Sequence, residues 1–68
     1  MKENDIGTNL KNIRKTLGIT QEKFAEKLNV SRSCVKHWEN NETVPNPYMI
    51  RKIKKTFNFS YEEIIDGI

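Results

Sequence analysis

The stretch of sequence that decides the fold is Thr20–Asn40, TQEKFAEKLNVSRSCVKHWEN. Its apolar residues recur at helical spacing in two short runs, which predicts two amphipathic helices joined by a turn. Asn29 falls between the runs, and asparagine is one of the few residues besides glycine that tolerates the left-handed conformation of a sharp turn. Ser31 is a favourable N-cap for the second helix. The residues expected to face inward are Phe24, Ala25, Leu28, Val35 and Trp38.

The second predicted helix, residues 31–40, has an outward face that is polar or basic and carries no acid. The side chains on this face are Arg32, Ser33, Lys36, His37 and Asn40. The major groove of DNA admits one α-helix, and its base edges offer hydrogen-bonding groups that such side chains can read. The pattern therefore indicates a DNA-recognition helix.

The spacing inside this segment is specific. Ala25 is small enough to let two helices cross closely, and the turn residue Asn29 follows four positions later. Val35 and Trp38 follow later in the same segment. The run ITQEKFAEKLNVSRSCVKHWEN resembles the helix-turn-helix of Cro and repressor-type regulators, the XRE family. The resemblance covers roughly Ile6 to Asp66. It implies an all-α fold, a compact five-helix bundle of the lambda repressor-like kind, with helices two and three forming the motif.

Length and composition favour one small domain, residues 1–68. With 35% apolar and 31% charged residues, the chain can form a small helical core but no deep substrate cavity. The net charge of +3 favours polyanions modestly. The single cysteine, Cys34, excludes an internal disulfide and fits a reducing cytoplasm, where we expect the protein. The first residues, MKENDIG, include no apolar signal core, and no apolar run is long enough to span a membrane, so we expect neither a signal peptide nor a transmembrane helix.

Start and stop signals predict the remaining helices. We expect helix one to begin near Asp5 and to end at Gly18. Asn46 and Pro47 predict the start of helix four, and a capping box beginning at Ser60 predicts a fifth helix over about residues 60–67. The expected inward positions of helices one and four are Ile6, Leu10, Ile13, Leu17, Ile50, Ile53 and Phe57. No segment indicates a β-strand.

Residues near the N-terminus of a recognition helix reach base edges first. Here these are Arg32 and Ser33, and the resemblance adds His37 as a third base-reading position, with Lys36 beside it. Because arginine can donate two hydrogen bonds to guanine, we expect Arg32 to read a guanine in each half-site; a solvated surface arginine is the alternative. Contact through a protonated His37 would make DNA affinity rise below about pH 6.5.

A second set of residues is expected to contact phosphates, which fixes the register of the domain on DNA. Gln21 stands at the start of helix two, where free backbone N–H groups attract a phosphate, and the resemblance implies the same role for Gln21 and Asn40. The full set is Gln21, Asn40, Asn41, Thr43, Lys11 and Lys36. The loop after the recognition helix departs from the family because it lacks basic residues, and Glu42 would repel phosphate.

Two further expectations concern how the motif is supported. The resemblance implies a salt bridge between Arg14 on helix one and Glu39 at the end of the recognition helix, although two unrelated surface charges remain the alternative. Helix five carries an apolar stripe of Tyr61, Ile64, Ile65 and Ile68. We expect part of the stripe to form a homodimer interface across a two-fold axis; the alternative is that all four residues complete the monomer core.

The leading interpretation is a transcriptional regulator that binds double-stranded DNA in the major groove, as a homodimeric repressor on an inverted-repeat operator. A restriction-modification controller and an operator-binding antitoxin remain open. A protein-interaction module on the same fold is an alternative of another class, against which the cationic face argues. The sequence shows no nucleophile–base pair, metal cluster or phosphate loop, so we expect no enzyme activity, cofactor, metal or small-molecule ligand.

Overall fold

The structure is a computed structural model that describes residues 5–67, and every regular element in this range is an α-helix. The helices are α1 (Ile6–Leu17), α2 (Gln21–Leu28), α3 (Arg32–Glu39), α4 (Pro47–Phe57) and α5 (Tyr61–Ile65). This confirms the predicted all-α bundle of five helices, with α2 and α3 as the helix-turn-helix. No helix in the described range is both long and apolar enough to cross a membrane.

Each helix begins behind a polar residue that caps it. The side-chain oxygen of the cap accepts a hydrogen bond from the backbone N–H three residues later, which satisfies one of the unpaired donors in the first turn. The N-caps are Asp5, Thr20, Ser31, Asn46 and Ser60. The predicted capping box between Ser60 and Glu63 is also present.

Residues in the left-handed conformation turn the chain at the ends of α1, α2 and α4 and just beyond α3. Gly18 ends α1 with a φ of 70°, and Asn29 and Asn58 end α2 and α4 with a φ of 61° each. Asn41 has the same φ of 61° one residue beyond the C-cap of α3. The sharp turn predicted at Asn29 is therefore confirmed, and it sets the angle between the two helices of the motif.

The hydrophobic core draws on all five helices. Its buried side chains are Leu10, Ile13, Phe24, Ala25, Leu28, Val35, Trp38, Ile50, Ile53 and Ile64. The rings of Phe24 and Phe57 stack in parallel with centroids 4.6 Å apart and join α2 to α4. Leu17, expected to face inward, is instead 38% exposed, because α1 ends there and the chain turns away at Gly18.

The short helix α5 corrects one sequence-based expectation. It spans five residues rather than the predicted eight, and Ile64 is 0% exposed. Ile64 is therefore a core residue and cannot belong to a dimer interface, because the packing of the monomer already covers it. Asn9 closes the end of α5 by donating from Nδ2 to the carbonyl oxygens of Ile64 at 2.9 Å and Ile65 at 3.2 Å. Tyr61 is 54% exposed, and Ile68 lies outside the described residues.

Candidate nucleic-acid interface

The helix α3 divides sharply into a buried side and an exposed side. Val35 and Trp38 are 0% and 4% exposed and pack into the core with α1 and α2. Cys34 is half-buried beside them, and burial raises the pKa of its thiol. The thiol therefore stays protonated at neutral pH and packs as a small apolar group.

The opposite side of α3 carries the four predicted base-reading residues. Arg32 and Ser33 lie in the first turn, Lys36 and His37 lie one turn later, and all four are exposed. Residues four apart share one face of a helix, so the structure brings these side chains together. The one acid of α3, Glu39, is buried on the other side. The exposed face therefore carries two cations, Arg32 and Lys36, and no acid of α3 itself.

The expected ion pair between Arg14 and Glu39 is present and nearly buried. Arg14 binds the carboxylate with two parallel hydrogen bonds, from Nε to Oε2 at 2.7 Å and from Nη2 to Oε1 at 3.1 Å. Its Nη1 donates to the carbonyl of Ile19 at 2.9 Å. The two side chains are only 14% and 2% exposed. A paired geometry of this kind is rigid, so it fixes the C-terminal end of α3 against α1.

Gln21 is a third member of this network, which sequence reasoning missed. Its Nε2 donates to Oε1 of Glu39 at 3.0 Å, so the first residue of α2 is tied to the last residue of α3. The two residues are 18 positions apart, and no local pattern signals a contact over that distance. Gln21 still lies at the start of α2, where a phosphate contact was expected, and its amide has a second N–H.

The other residues expected to contact phosphates are exposed, but they lie in different parts of the fold. Asn40, Asn41 and Thr43 lie at the C-terminal end of α3 and in the loop that follows, whereas Lys11 lies on α1. Glu42, expected to repel phosphate from this loop, is hydrogen-bonded through Oε1 to Nδ1 of His37. The carboxylate therefore lies against the recognition face, beside His37.

A close helix approach supports the same end of α3. Gly7 on α1 faces the backbone carbonyl of Trp38 and the side chain of Asn41, and a Cβ at Gly7 would overlap both groups. Only glycine allows α1 to come this near. Sequence reasoning missed Gly7 because a glycine near a helix start has no distinctive local pattern.

An apolar groove of about 350 Å³ lies beside α5. It is lined by Ile6, Pro45, Pro47, Ile50, Arg51, Tyr61 and Ile65. Two of the residues expected at a dimer interface, Tyr61 and Ile65, thus border a concave surface rather than standing alone. In residues 5–67 no cluster of three or more histidine, cysteine or acidic side chains could hold a metal ion.

Comparison with known proteins shows the family. The model of a helix-turn-helix family matches residues 10–64. The HTH-type transcriptional activator BcrR of Enterococcus faecalis is 32% identical over 63 residues, which are 93% of this chain and 31% of the relative. The antitoxin PezA of Streptococcus pneumoniae is 37% identical over 60 residues, 88% of this chain and 38% of the relative. The chain thus spans about a third of the length of these curated relatives.

Solved structures show the same architecture. The P22 c2 repressor protein, in complex with a synthetic operator, superimposes with a TM-score of 0.82 at 27% identity, covering 93% of this chain and 96% of that one. A transcriptional regulator from Listeria innocua has a TM-score of 0.85 at 24% identity and covers 98% of this chain and 63% of that one; at this identity it shows the fold alone. With the family match over most of its length, this chain belongs to the XRE-type helix-turn-helix family.

Proposed function

We propose that this protein is a DNA-binding regulator of transcription that inserts α3 into the major groove. The observation that carries the proposal is the exposed cationic face of α3, held rigid from behind by the paired Arg14 and Glu39. A helix that reads bases needs both features, because the wrong angle would move its side chains out of hydrogen-bonding range. The likeness to a repressor solved with its operator supports this function.

We assign the contacts with bases to residues in the first two turns of α3. Arg32 has the geometry to donate two hydrogen bonds to O6 and N7 of a guanine, and Ser33 can bond to several bases. Lys36 and His37 extend the contact by one turn. These four residues account for sequence preference, while the phosphate contacts set register.

Phosphate contacts would come from the ends of the helices around α3. The second N–H of the Gln21 amide and the N-terminus of α2 are suited to one phosphate. Asn40, Asn41 and Thr43 would meet the backbone on the other side, with Lys11 adding charge from α1. Because Gln21 also binds Glu39, a phosphate at this position would be linked directly to the buried ion pair that orients α3.

We propose that two copies bind one operator through the groove beside α5. Tyr61 and Ile65, with Ile6 across the groove, offer apolar surface that a second copy would cover across a two-fold axis. Ile68 remains part of this proposal. A dimer would place two recognition helices about 34–36 Å apart, one turn of DNA, and would read an inverted repeat.

The direction of control that we propose is repression in the cytoplasm. The solved relative that this chain matches over nearly its whole length is a repressor. A second candidate is an antitoxin that binds its operator, which the 37% identity to an antitoxin favours. An antitoxin needs a surface for its toxin besides α3, so co-purification with a toxin encoded beside it would distinguish the two.

The experiment that tests DNA binding compares two charge-matched double variants. Arg32→Ala with Lys36→Ala removes two cations from α3, and Lys54→Ala with Lys55→Ala removes two exposed cations from α4. Affinity for the preferred operator should collapse in the first variant and fall slightly in the second, because net charge alone contributes a nonspecific term. Equal losses would place the interface elsewhere. Circular dichroism would check that both variants remain folded.

A further inference from the structure

The end of α3 returns the chain onto the recognition face. Asn41 takes the left-handed conformation, and the next residue, Glu42, donates its backbone N–H to the carbonyl of His37 at 2.9 Å. Asn41 itself donates to the carbonyl of Trp38 at 3.0 Å. This pair of bonds is the Schellman arrangement, which brings the residue after the left-handed one beside the last turn of the helix.

Three other helices also end in a left-handed residue followed by a residue that bonds back to the helix, but with different chemistry. The residues that follow the left-handed positions of α1, α2 and α4 are Ile19, Val30 and Phe59, and each donates to the carbonyl five residues earlier. All three are apolar and pack against the core. In α3 the equivalent residue is Glu42, and its carboxylate contacts the ring of His37. An ion-pairing group therefore stands where the other helices place an apolar contact.

This contact dictates which ring nitrogen carries the proton. A carboxylate accepts hydrogen bonds and cannot donate them, so Nδ1 of His37 is the donor to Glu42. In the neutral ring Nε2 then presents a lone pair, and no partner is bonded to Nε2 within residues 5–67. In the major groove a lone pair can accept only from the amino groups of adenine or cytosine. A protonated ring would instead donate from Nε2 to guanine or thymine oxygens or to a purine N7.

We propose that Glu42 is a positioning residue that fixes the proton of His37 on Nδ1 and thereby sets the base preference of α3 at one position. The role rests on the proposed DNA-binding function. The base that faces Nε2 of the neutral ring is then adenine or cytosine, because its amino group can donate to the lone pair, rather than guanine or thymine.

Among the described residues, Glu42 is the charged group that is hydrogen-bonded to the ring of His37. Arg32 and Lys36 share the helix with His37 and carry no carboxylate. The charged residues on the two helices packed against α3 are Lys11, Arg14, Lys15, Glu22, Lys23, Glu26 and Lys27. Among them, Arg14 is bound to Glu39, and Lys23 pairs with Glu26 at 3.3 Å. None of these groups is hydrogen-bonded to the His37 ring in the described part of the chain.

The first test needs no DNA. Nitrogen-15 NMR of the imidazole in the full chain at pH 8 distinguishes the protonated ring nitrogen from the unprotonated one. Wild type should show the proton on Nδ1. Glu42→Ala should give a mixture, and so should Glu42→Gln, because the amide can either accept from Nδ1–H through its oxygen or donate to Nδ1 through its nitrogen. A proton on Nε2 in the wild type would overturn the proposal, whether or not the protein binds DNA.

The second test measures base preference. The operator position that His37 reads is the one where His37→Ala removes the base preference. Affinities for the four base pairs at that position are compared at pH 8. Wild type should show a preference of at least about fivefold at pH 8, whereas Glu42→Ala and Glu42→Gln should both lose most of it. Glu26→Ala, which removes one exposed acid from α2, should behave as wild type.

The outcomes distinguish a failure of the proposed role of Glu42 from a failure of the proposed DNA-binding function. Specific binding by wild type with an unchanged base preference in Glu42→Ala would overturn the role of Glu42 and leave the DNA-binding function standing. No sequence-specific binding by wild type would overturn both the role of Glu42 and the DNA-binding function. A loss of preference in Glu26→Ala equal to that in Glu42→Ala would make the effect one of net charge, which also contradicts the proposal.

Discussion

At the scale of single residues, Arg32 stands exposed in the first turn of α3, where a recognition helix meets base edges first. Its neighbours on that face, Ser33 and His37, have fewer ways to specify one base. Arginine combines charge with a planar fork of donors, so one residue can contribute both attraction and selectivity. Arg32 should therefore be the side chain whose loss changes sequence preference most.

We predict that Arg32→Ala weakens binding to the preferred operator by about 1–3 kcal/mol per half-site and relaxes preference at one base pair. The measurement is a set of fluorescence anisotropy titrations on operators substituted at each position. Lys55→Ala removes an exposed cation on α4 that lies outside the groove lining; it is the control and should leave the pattern of preferences unchanged. Uniform weakening on all sequences by Arg32→Ala would make Arg32 a phosphate contact instead.

Residue positions could be predicted from the sequence better than residue contacts. The helical repeat alone puts Arg32 and Lys36 on the exposed face and Val35 on the buried one, and the structure agrees. The contact of Gln21 with Glu39 and that of Glu42 with His37 were not predicted. Both depend on side-chain conformations and on where a turn returns the chain, and neither leaves a repeating pattern in the sequence.

At the scale of helices, the angle of α3 depends on α1 through the ion pair of Arg14 and Glu39. We predict that Glu39→Ala lowers the free energy of unfolding by about 3–5 kcal/mol, because Arg14 would keep its charge in a largely buried position without a partner. Urea denaturation at low temperature measures the loss. Glu39→Gln should cost less, since the amide can still accept from the guanidinium.

An exposed pair of the same kind provides the control for Glu39. Lys23 and Glu26 lie 3.3 Å apart on α2 with side chains 54% and 69% exposed, and Glu26→Ala should cost under about 1 kcal/mol. A similarly small loss in Glu39→Ala would mean that the buried pair contributes little to the position of α3.

The approach of α1 to the end of α3 gives a second prediction at this scale. Gly7→Ala should destabilise the fold by about 1–3 kcal/mol through overpacking, although alanine is the better helix former by about 1 kcal/mol. The new methyl group would overlap the carbonyl of Trp38, so α1 must shift. Thermal unfolding followed by circular dichroism measures the effect, with Lys15→Ala on the exposed side of α1 as the control. A more stable Gly7→Ala protein would contradict the close approach.

Helix boundaries followed from short-range signals where those signals are strong. Asn29, Asn46 and Ser60 act as the turn and cap residues that their chemistry predicts. The end of α5 could not be predicted from such local signals, because the residue that caps it, Asn9, lies 55 positions away along the chain. Tertiary contacts of this range decide where a short helix stops, and one sequence alone does not reveal them.

At the scale of the whole molecule, the groove beside α5 determines how two copies would meet. We predict that Tyr61→Glu abolishes cooperative binding to an inverted repeat while the monomer stays folded, because Tyr61 is 54% exposed and a carboxylate would be buried at the dimer interface. Sedimentation and operator titrations measure the two effects. Tyr48→Glu is a matched control, since Tyr48 is 61% exposed and lies outside the groove lining. Equal effects from both variants would exclude the groove as the interface.

The most direct test of sequence-specific DNA binding is selection from random duplexes at physiological salt, followed by sequencing. We predict enrichment of an inverted repeat whose half-sites are centred about one helical turn apart, with a guanine in each half-site that disappears when the selection is repeated with Arg32→Ala. The absence of any enriched sequence, with the protein folded and at low salt as well, would contradict the assignment of α3 as a recognition helix.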